Sequence, residues 1–165
     1  MQTKNIIRDI AKLNSLQKAV IDSSSLIYLF KLNLVQPLGH VVRLLAPTGI
    51  FNETGLAELP VVQTDCSGSN ALLPDEQVLA LAKAQRCAII SDDKKILRKA
   101  EEYGLDYFNS LMMLLLLYEH GILDYEQAER KLEELYAFAH YGKKIRDYGR
   151  MLFASIIPPS SGTVF

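Results

Sequence analysis

Five acidic residues stand where an apolar, strand-like run ends or where such a run leads into a helix start. Asp22 follows Lys18-Ala19-Val20-Ile21, and Glu53 comes shortly after Val41-Val42-Arg43-Leu44-Leu45-Ala46. Glu76 follows Leu72-Leu73-Pro74-Asp75, and the pair Asp92-Asp93 follows Cys87-Ala88-Ile89-Ile90-Ser91. In an open parallel sheet the C-terminal strand ends share one edge, so acids far apart in the chain converge on one crevice. Crowded carboxylates repel and are costly to desolvate unless a cation stands among them. Hard divalent cations take oxygen ligands, and a metal held by acids against a phosphate is a common arrangement for phosphodiester hydrolysis. The pattern predicts a metal-dependent nuclease.

Each acid also has a plainer reading. Asp22, followed by Ser23 to Ser25, suits a helix N-cap. Glu76 falls in the first turn of a helix, where the dipole favours a negative charge. Glu53 shares its segment with Glu58, either of which suits a solvated surface. Asp92-Asp93 is the strongest pair, because adjacent acids at the end of a buried strand require a cation or capping amides. His40, His120 and His140 are scattered and read as surface residues.

The elements that must position these acids follow from periodicity. Ile6, Ile7, Ile10, Leu13 and Leu16 recur at helical spacing and predict an amphipathic N-terminal helix. A first strand runs to Ile21, a helix over 26–34, a second strand over 41–46, a helix over 48–58 bearing Glu53, and a strand within 59–66. Pro74 with Asp75 and Glu76 opens a helix. The strand 87–91, a helix over 93–103 stopped by Gly104, and a short strand over 105–108 follow. Ser110 caps the apolar helix 111–119, Asp124 and Gln127 have capping-box spacing for a helix to about 139, and a last helix covers about 144–157. Sustained alternation of strand and helix predicts a parallel α/β sheet with helices on both faces.

Composition bounds the rest. A chain of 165 residues with 49% hydrophobic and 22% charged residues suits one compact soluble domain. The run Leu111 to Leu117 is too short to span a bilayer, and the start of the chain lacks a secretory pattern, so no membrane association and a cytoplasmic location are expected. Cys66 and Cys87 have no zinc-type spacing. A net charge of −1 gives no global pull on a polyanion, so local charge matters. Lys94, Lys95, Arg98 and Lys99 follow the Asp pair and are placed to face a phosphate backbone, with a solvated helix face as the competing reading. Lys143, Lys144, Arg146 and Arg150 read as a solvated face.

From about Ala19 to Leu123 the ordered motifs resemble the PIN-domain family, and within it a prokaryotic branch related to VapC-type toxin ribonucleases. They are Val20-Ile21-Asp22-Ser23-Ser24-Ser25-Leu26-Ile27-Tyr28-Leu29, Pro47-Thr48-Gly49-Ile50-Phe51-Asn52-Glu53, Asp75-Glu76 with Ala80-Leu81-Ala82, Ile89-Ile90-Ser91-Asp92-Asp93, and Gly104-Leu105-Asp106-Tyr107-Phe108-Asn109-Ser110-Leu111. The resemblance implies a single PIN-like α/β domain over 18–157, preceded by a helical extension over 1–17 and followed by a tail over 158–165. It implies that Asp22, Glu53, Glu76 and Asp93 surround Mg²⁺ or Mn²⁺, with Asp92, Ser24 and Ser110 in support; Lys94, Lys95 and Arg98 are expected on the flanking nucleic-acid backbone from their place beside the Asp pair. The implied activity is metal-dependent hydrolysis of RNA, with a homodimer and an antitoxin protein as partners. Asp75 and Asn109 stand where the family commonly has glycine, which would suit the alternative of a catalytically silent PIN-like module that binds RNA or protein. A phosphatase-like or response-regulator-like domain would need an acid pair at the first strand and a late lysine. This chain has Asp22 alone there and no lysine between Leu105 and Glu119.

Overall fold

The computed structural model describes residues 2–55, 59–68 and 71–156, with side chains from residue 8 onward. The tail expected over 158–165, the side chains of Ile6 and Ile7, and Glu58 lie outside the described residues. The chain divides into two compact units, one of residues 16–110 and one of 1–15 with 111–165.

The first unit is an α/β sandwich. Strands β1 (Lys18–Ile21), β2 (Arg43–Ala46), β3 (Val61–Gln63), β4 (Ala88–Ile90) and β5 (Tyr107–Phe108) form one parallel sheet, ordered β3-β2-β1-β4-β5 among the described residues. Between them run α2 (Ser23–Lys31), α3 (Val35–Gly39), α4 (Thr48–Thr54), α5 (Pro74–Gln85) and α6 (Lys94–Glu102). Ala19, Val20, Ile21, Ile89 and Ile90 have no exposed surface, as expected of central parallel strands covered by helices. The chain steps outward from β1 to β2 to β3, then returns past β1 to β4 and β5. That reversal makes the gap between β1 and β4 the topological switch point, where ligands bind in open α/β sheets. One ladder bond extends past the strand ends there, Asp22 N–H to the Ile90 carbonyl at 3.0 Å, and between β4 and β5 the Ser91 N–H reaches the Phe108 carbonyl at 2.9 Å.

Where boundaries differ from the sequence reading, a local bond explains the shift. The helix expected over 26–34 ends at Lys31, and Asn33 takes a left-handed backbone, φ 57°, that Asn tolerates. This break releases α3, which periodicity did not single out. β2 starts at Arg43 rather than Val41 because the Val41 and Val42 amides bond back to the Leu38 carbonyl at 3.0 and 2.8 Å. α4 stops at Thr54, not 58, because Gly55 adopts φ 63° and closes the helix on the Phe51 carbonyl.

The second unit is helical: α1 (Gln2–Asn14), α7 (Ser110–Glu119, from Leu111 onward), α8 (Tyr125–Ala139) and α9 (Lys143–Ser155). The N-terminal helix therefore clusters with the C-terminal helices; the Tyr148 hydroxyl on α9 donates to the Asp9 carboxylate on α1. Asp124 and Gln127 form the predicted capping box at 2.8 and 3.0 Å. A Cβ on Gly149 would lie 2.6 Å from Leu111 Cδ2 and 3.0 Å from the Tyr136 hydroxyl, so glycine sets how closely α9 approaches α7 and α8. Among the described residues no helix is long and apolar enough to cross a membrane.

Candidate active site

Asp22 ends β1 and caps α2. The strand ahead of it is wholly apolar, so the carboxylate emerges from the core, and its side chain is only 2% exposed. Its oxygens are held from both sides of the switch point. Oδ1 accepts the Ser25 N–H at 3.0 Å and the Ser24 hydroxyl at 2.9 Å, while Oδ2 accepts the Ser91 hydroxyl from the end of β4. Every one of these donors is neutral, and among the described residues no ion pair reaches Asp22. Burial therefore pushes its pKa up to about 6, against the pull of the bonds from Ser91, Ser25 and Ser24 and with a further push from the charge of Asp92.

Asp92 is the second acid of this pair. Ser25, which gives its N–H to Asp22, gives its hydroxyl to Asp92 Oδ2 at 2.6 Å. From the start of α7, Ser110 adds its hydroxyl to Oδ2, and its N–H lies 3.2 and 3.3 Å from the two carboxylate oxygens. Ser25, Ser91 and Ser110 are all fully buried, so three hydroxyls with no access to water fix the two carboxylates in place. Ser91 also accepts the Asp93 N–H at 3.0 Å, which ties the α6 start to Asp22.

The remaining expected ligands are placed differently. Asp93 is the N-cap of α6: its Oδ1 accepts the Lys95 and Ile96 amides at 2.7 and 3.3 Å. Asp92 thus stands beside Asp22, and Asp93 on the helix start. Glu76 is exposed and folds back to accept the Leu73 N–H at 3.2 Å, the reciprocal half of a capping box whose other half Leu73 lacks an acceptor to make. Asp75, beside it, is also exposed. Partial loss of water around its carboxyl and then the charges of Asp93 and Glu53 raise its pKa, opposed by Lys95 and Lys99. Glu53, Asp75 and Asp93 therefore share one electrostatic neighbourhood, and Asp22 and Asp92 another. Ser24 and Ser110 bond to the acid pair as expected of supporting residues, while Ser25 and Ser91 were not singled out beforehand. Lys94, Lys95, Arg98 and Lys99 are exposed on α6.

The donors of this arrangement suit a divalent cation in kind. They are all hard oxygen, and a buried carboxylate with no ion pair beside a second carboxylate is the electrostatic condition that a cation relieves. Among the described residues no group of three or more His, Cys, Asp or Glu side chains stands where it could hold one ion. The pair Asp22 and Asp92 still fits Mg²⁺, which is commonly bound through one or two carboxylates and keeps several waters. A separate pocket of about 490 Å³ lies at the opposite sheet edge, lined at the N-terminal ends of β2 and β3 by residues including His40, Arg43 and Pro60.

Compared with known protein families and with curated proteins, the chain matches no family model and no curated sequence.

Proposed function

We propose that this protein is a metal-dependent phosphodiester hydrolase acting on RNA, with its site at the β1–β4 switch point. The observation that carries the reading is the buried Asp22 carboxylate, lacking an ion pair and set beside Asp92 by shared serine bonds. Asp22 and Asp92 would hold Mg²⁺ or Mn²⁺, with Glu53, Asp75 and Asp93 contributing negative charge nearby. A divalent cation, when bound, supplies an activated water and neutralises charge on the phosphodiester. The chain's own contribution is preorganisation: Ser24, Ser25 and Ser91 fix Asp22, and Ser25 and Ser110 fix Asp92, so neither carboxylate must reorient on loading. Lys94, Lys95 and Arg98 on α6 would engage the flanking phosphates. The resemblance to the PIN-domain toxins extends the proposal to a homodimer and an antitoxin that covers the crevice. Exposed Ile27 and Phe30 on α2 offer apolar surface for such a partner.

The absence of a three-acid group among the described residues favours a second reading, a PIN-like module that binds RNA or protein without cleaving it. Mn²⁺ titration by calorimetry on the wild type and on Asp22→Asn with Asp92→Asn, alongside cleavage of a mixed single-stranded RNA pool, separates the two. Metal binding and cleavage that both vanish in the double variant support the hydrolase. A wild type that binds no Mn²⁺ leaves the binding module.

A further inference from the structure

The pocket at the N-terminal ends of β2 and β3 stands apart from the Asp22 crevice. Its volume of about 490 Å³ is that of a small-molecule site. One wall is the connection from α3 into β2, Gly39 to Arg43, and the other is the segment from Leu59 that leads into β3. The two walls meet at Gly39 and Pro60. A Cβ on Gly39 would stand 2.6 Å from the Pro60 ring, so glycine sets how closely they approach. Val62 is 47% exposed, and His40 and Arg43 are exposed as well, so the pocket opens to solvent beside them.

The chemistry of the lining selects a ligand. Val41, Leu44, Leu59, Pro60, Val61 and Val62 supply apolar surface, and no acid is among the described residues that line the pocket. Main-chain donors there are spent within the chain. The His40 N–H bonds to the Pro37 carbonyl, those of Val41 and Val42 to Leu38, that of Arg43 to Gln17 and that of Val61 to Leu59. The polar groups left to a ligand are therefore the side chains of Arg43 and His40. Among the described residues no ion pair involves Arg43, and its register partner on β1 is Lys18, so two basic residues neighbour each other at this edge. A guanidinium matches a carboxylate through two parallel hydrogen bonds. We propose that this pocket binds a small monocarboxylate with an apolar body, its head on Arg43 and its body against the valine and leucine walls. A phosphate monoester would bring a second negative charge to one permanent lining cation, and a neutral apolar molecule would leave the guanidinium unmatched.

The test separates head from body. The isotope-labelled chain is titrated with octanoate, phenylbutyrate and indoleacetate, and then with octanol, phenylbutanol and acetate, while amide shifts and calorimetry report the place and strength of binding. At least one of the three acids is expected to shift the amides between Gly39 and Leu44 and those of Val61 and Val62. The matching alcohol and acetate should each bind at least about tenfold more weakly. Arg43→Gln, at an exposed position, should weaken the acid by about 10- to 100-fold, the worth of a hydrogen bond to a charged group. Val62→Glu sets an acid on the exposed wall and should weaken it comparably, and circular dichroism confirms that both variants are folded. The proposal fails if none of the three acids shifts these amides at millimolar concentration, or if the shifts fall around Asp22 instead. It fails equally if the alcohol binds as tightly as its acid, or if Arg43→Gln leaves the affinity unchanged.

Discussion

Ser110 directs both its main-chain N–H and its hydroxyl at the carboxylate of Asp92, eighteen residues earlier in the chain. The start of α7 thus serves as a clamp on the acid that follows β4. A carboxylate held by two donors from one residue has little freedom to turn. Removing the Ser110 hydroxyl deletes one charge-assisted bond and leaves Asp92 Oδ2 with the Ser25 hydroxyl and the Ser110 N–H. Ser110→Ala is therefore expected to lower stability by about 1–2 kcal/mol. It should also weaken Mn²⁺ binding by about 10- to 100-fold, the usual cost of losing a group that orients a ligand. Urea denaturation and calorimetry read the two effects, and unchanged Mn²⁺ affinity would remove Ser110 from the site.

Asp22 makes stability depend on pH in a sense opposite to that of a paired carboxylate. Its pKa rises from 3.8 unfolded to about 6 folded, so the folded state holds the proton more tightly. The stability gained from that proton is full below about pH 4 and is lost as pH rises through about 6, a change on the order of 3 kcal/mol. Asp22→Asn keeps an acceptor for Ser24 and Ser25 and abolishes the charge. It should match wild type near pH 4 and exceed it by about 2–3 kcal/mol at pH 7.5 without divalent metal. Denaturation midpoints across that range decide the matter; a wild-type curve with no fall between pH 4 and 7 contradicts it.

The adjacent acids Asp92 and Asp93 should respond differently to the same substitution. Asn is as good an N-cap as Asp, so Asp93→Asn keeps the bonds to the Lys95 and Ile96 amides and costs less than about 0.5 kcal/mol. Asp92→Asn removes a charge beside Asp22 and should reduce Mn²⁺ affinity at least about tenfold. If Asp93→Asn is instead the variant that stops binding Mn²⁺, Asp93 and not Asp92 is the ligand.

Gly39 tests the far edge of the sheet. A Cβ there would stand 2.6 and 2.7 Å from the Pro60 ring carbons, which cannot swing aside as a flexible side chain would. Gly39→Ala should destabilise by about 1–3 kcal/mol through this overpacking while leaving Mn²⁺ binding intact, because Gly39, at the end of α3, lines the pocket at the N-terminal ends of β2 and β3. A variant as stable as wild type would show that the Leu59–Pro60 turn yields.

Much of the fold was legible because it depends on local pattern. Ala19-Val20-Ile21 and Ala88-Ile89-Ile90 read as buried strands because parallel central strands are apolar on both faces, and their burial matches. Asp22 was legible for the same reason: an acid immediately after such a strand has no other way out of the core. The Asp124–Gln127 box was legible because both partners lie within one helical turn. Ser25 and Ser91 were not, because nothing local distinguishes a serine that donates to an acid 67 or 69 residues away.

The sequence by itself determined which residue types meet at one sheet edge: acids following apolar strands, serines capping the helices that leave them, and a basic helix behind the Asp pair. Only the tertiary structure decided which acid of each adjacent pair turns where. Asp92 and Asp93 lie between β4 and α6, where no periodicity fixes side-chain direction, and the choice falls to donors from distant segments. Ser25 and Ser110 draw Asp92 toward Asp22, while the free amides of α6 take Asp93. At α5 the same competition turns Glu76 back onto the Leu73 amide and leaves Asp75 in the field of Glu53 and Asp93. Local sequence fixes where a carboxylate emerges; donors distant in the chain set the direction of Asp92, and helix-start amides close in sequence set those of Asp93 and Glu76.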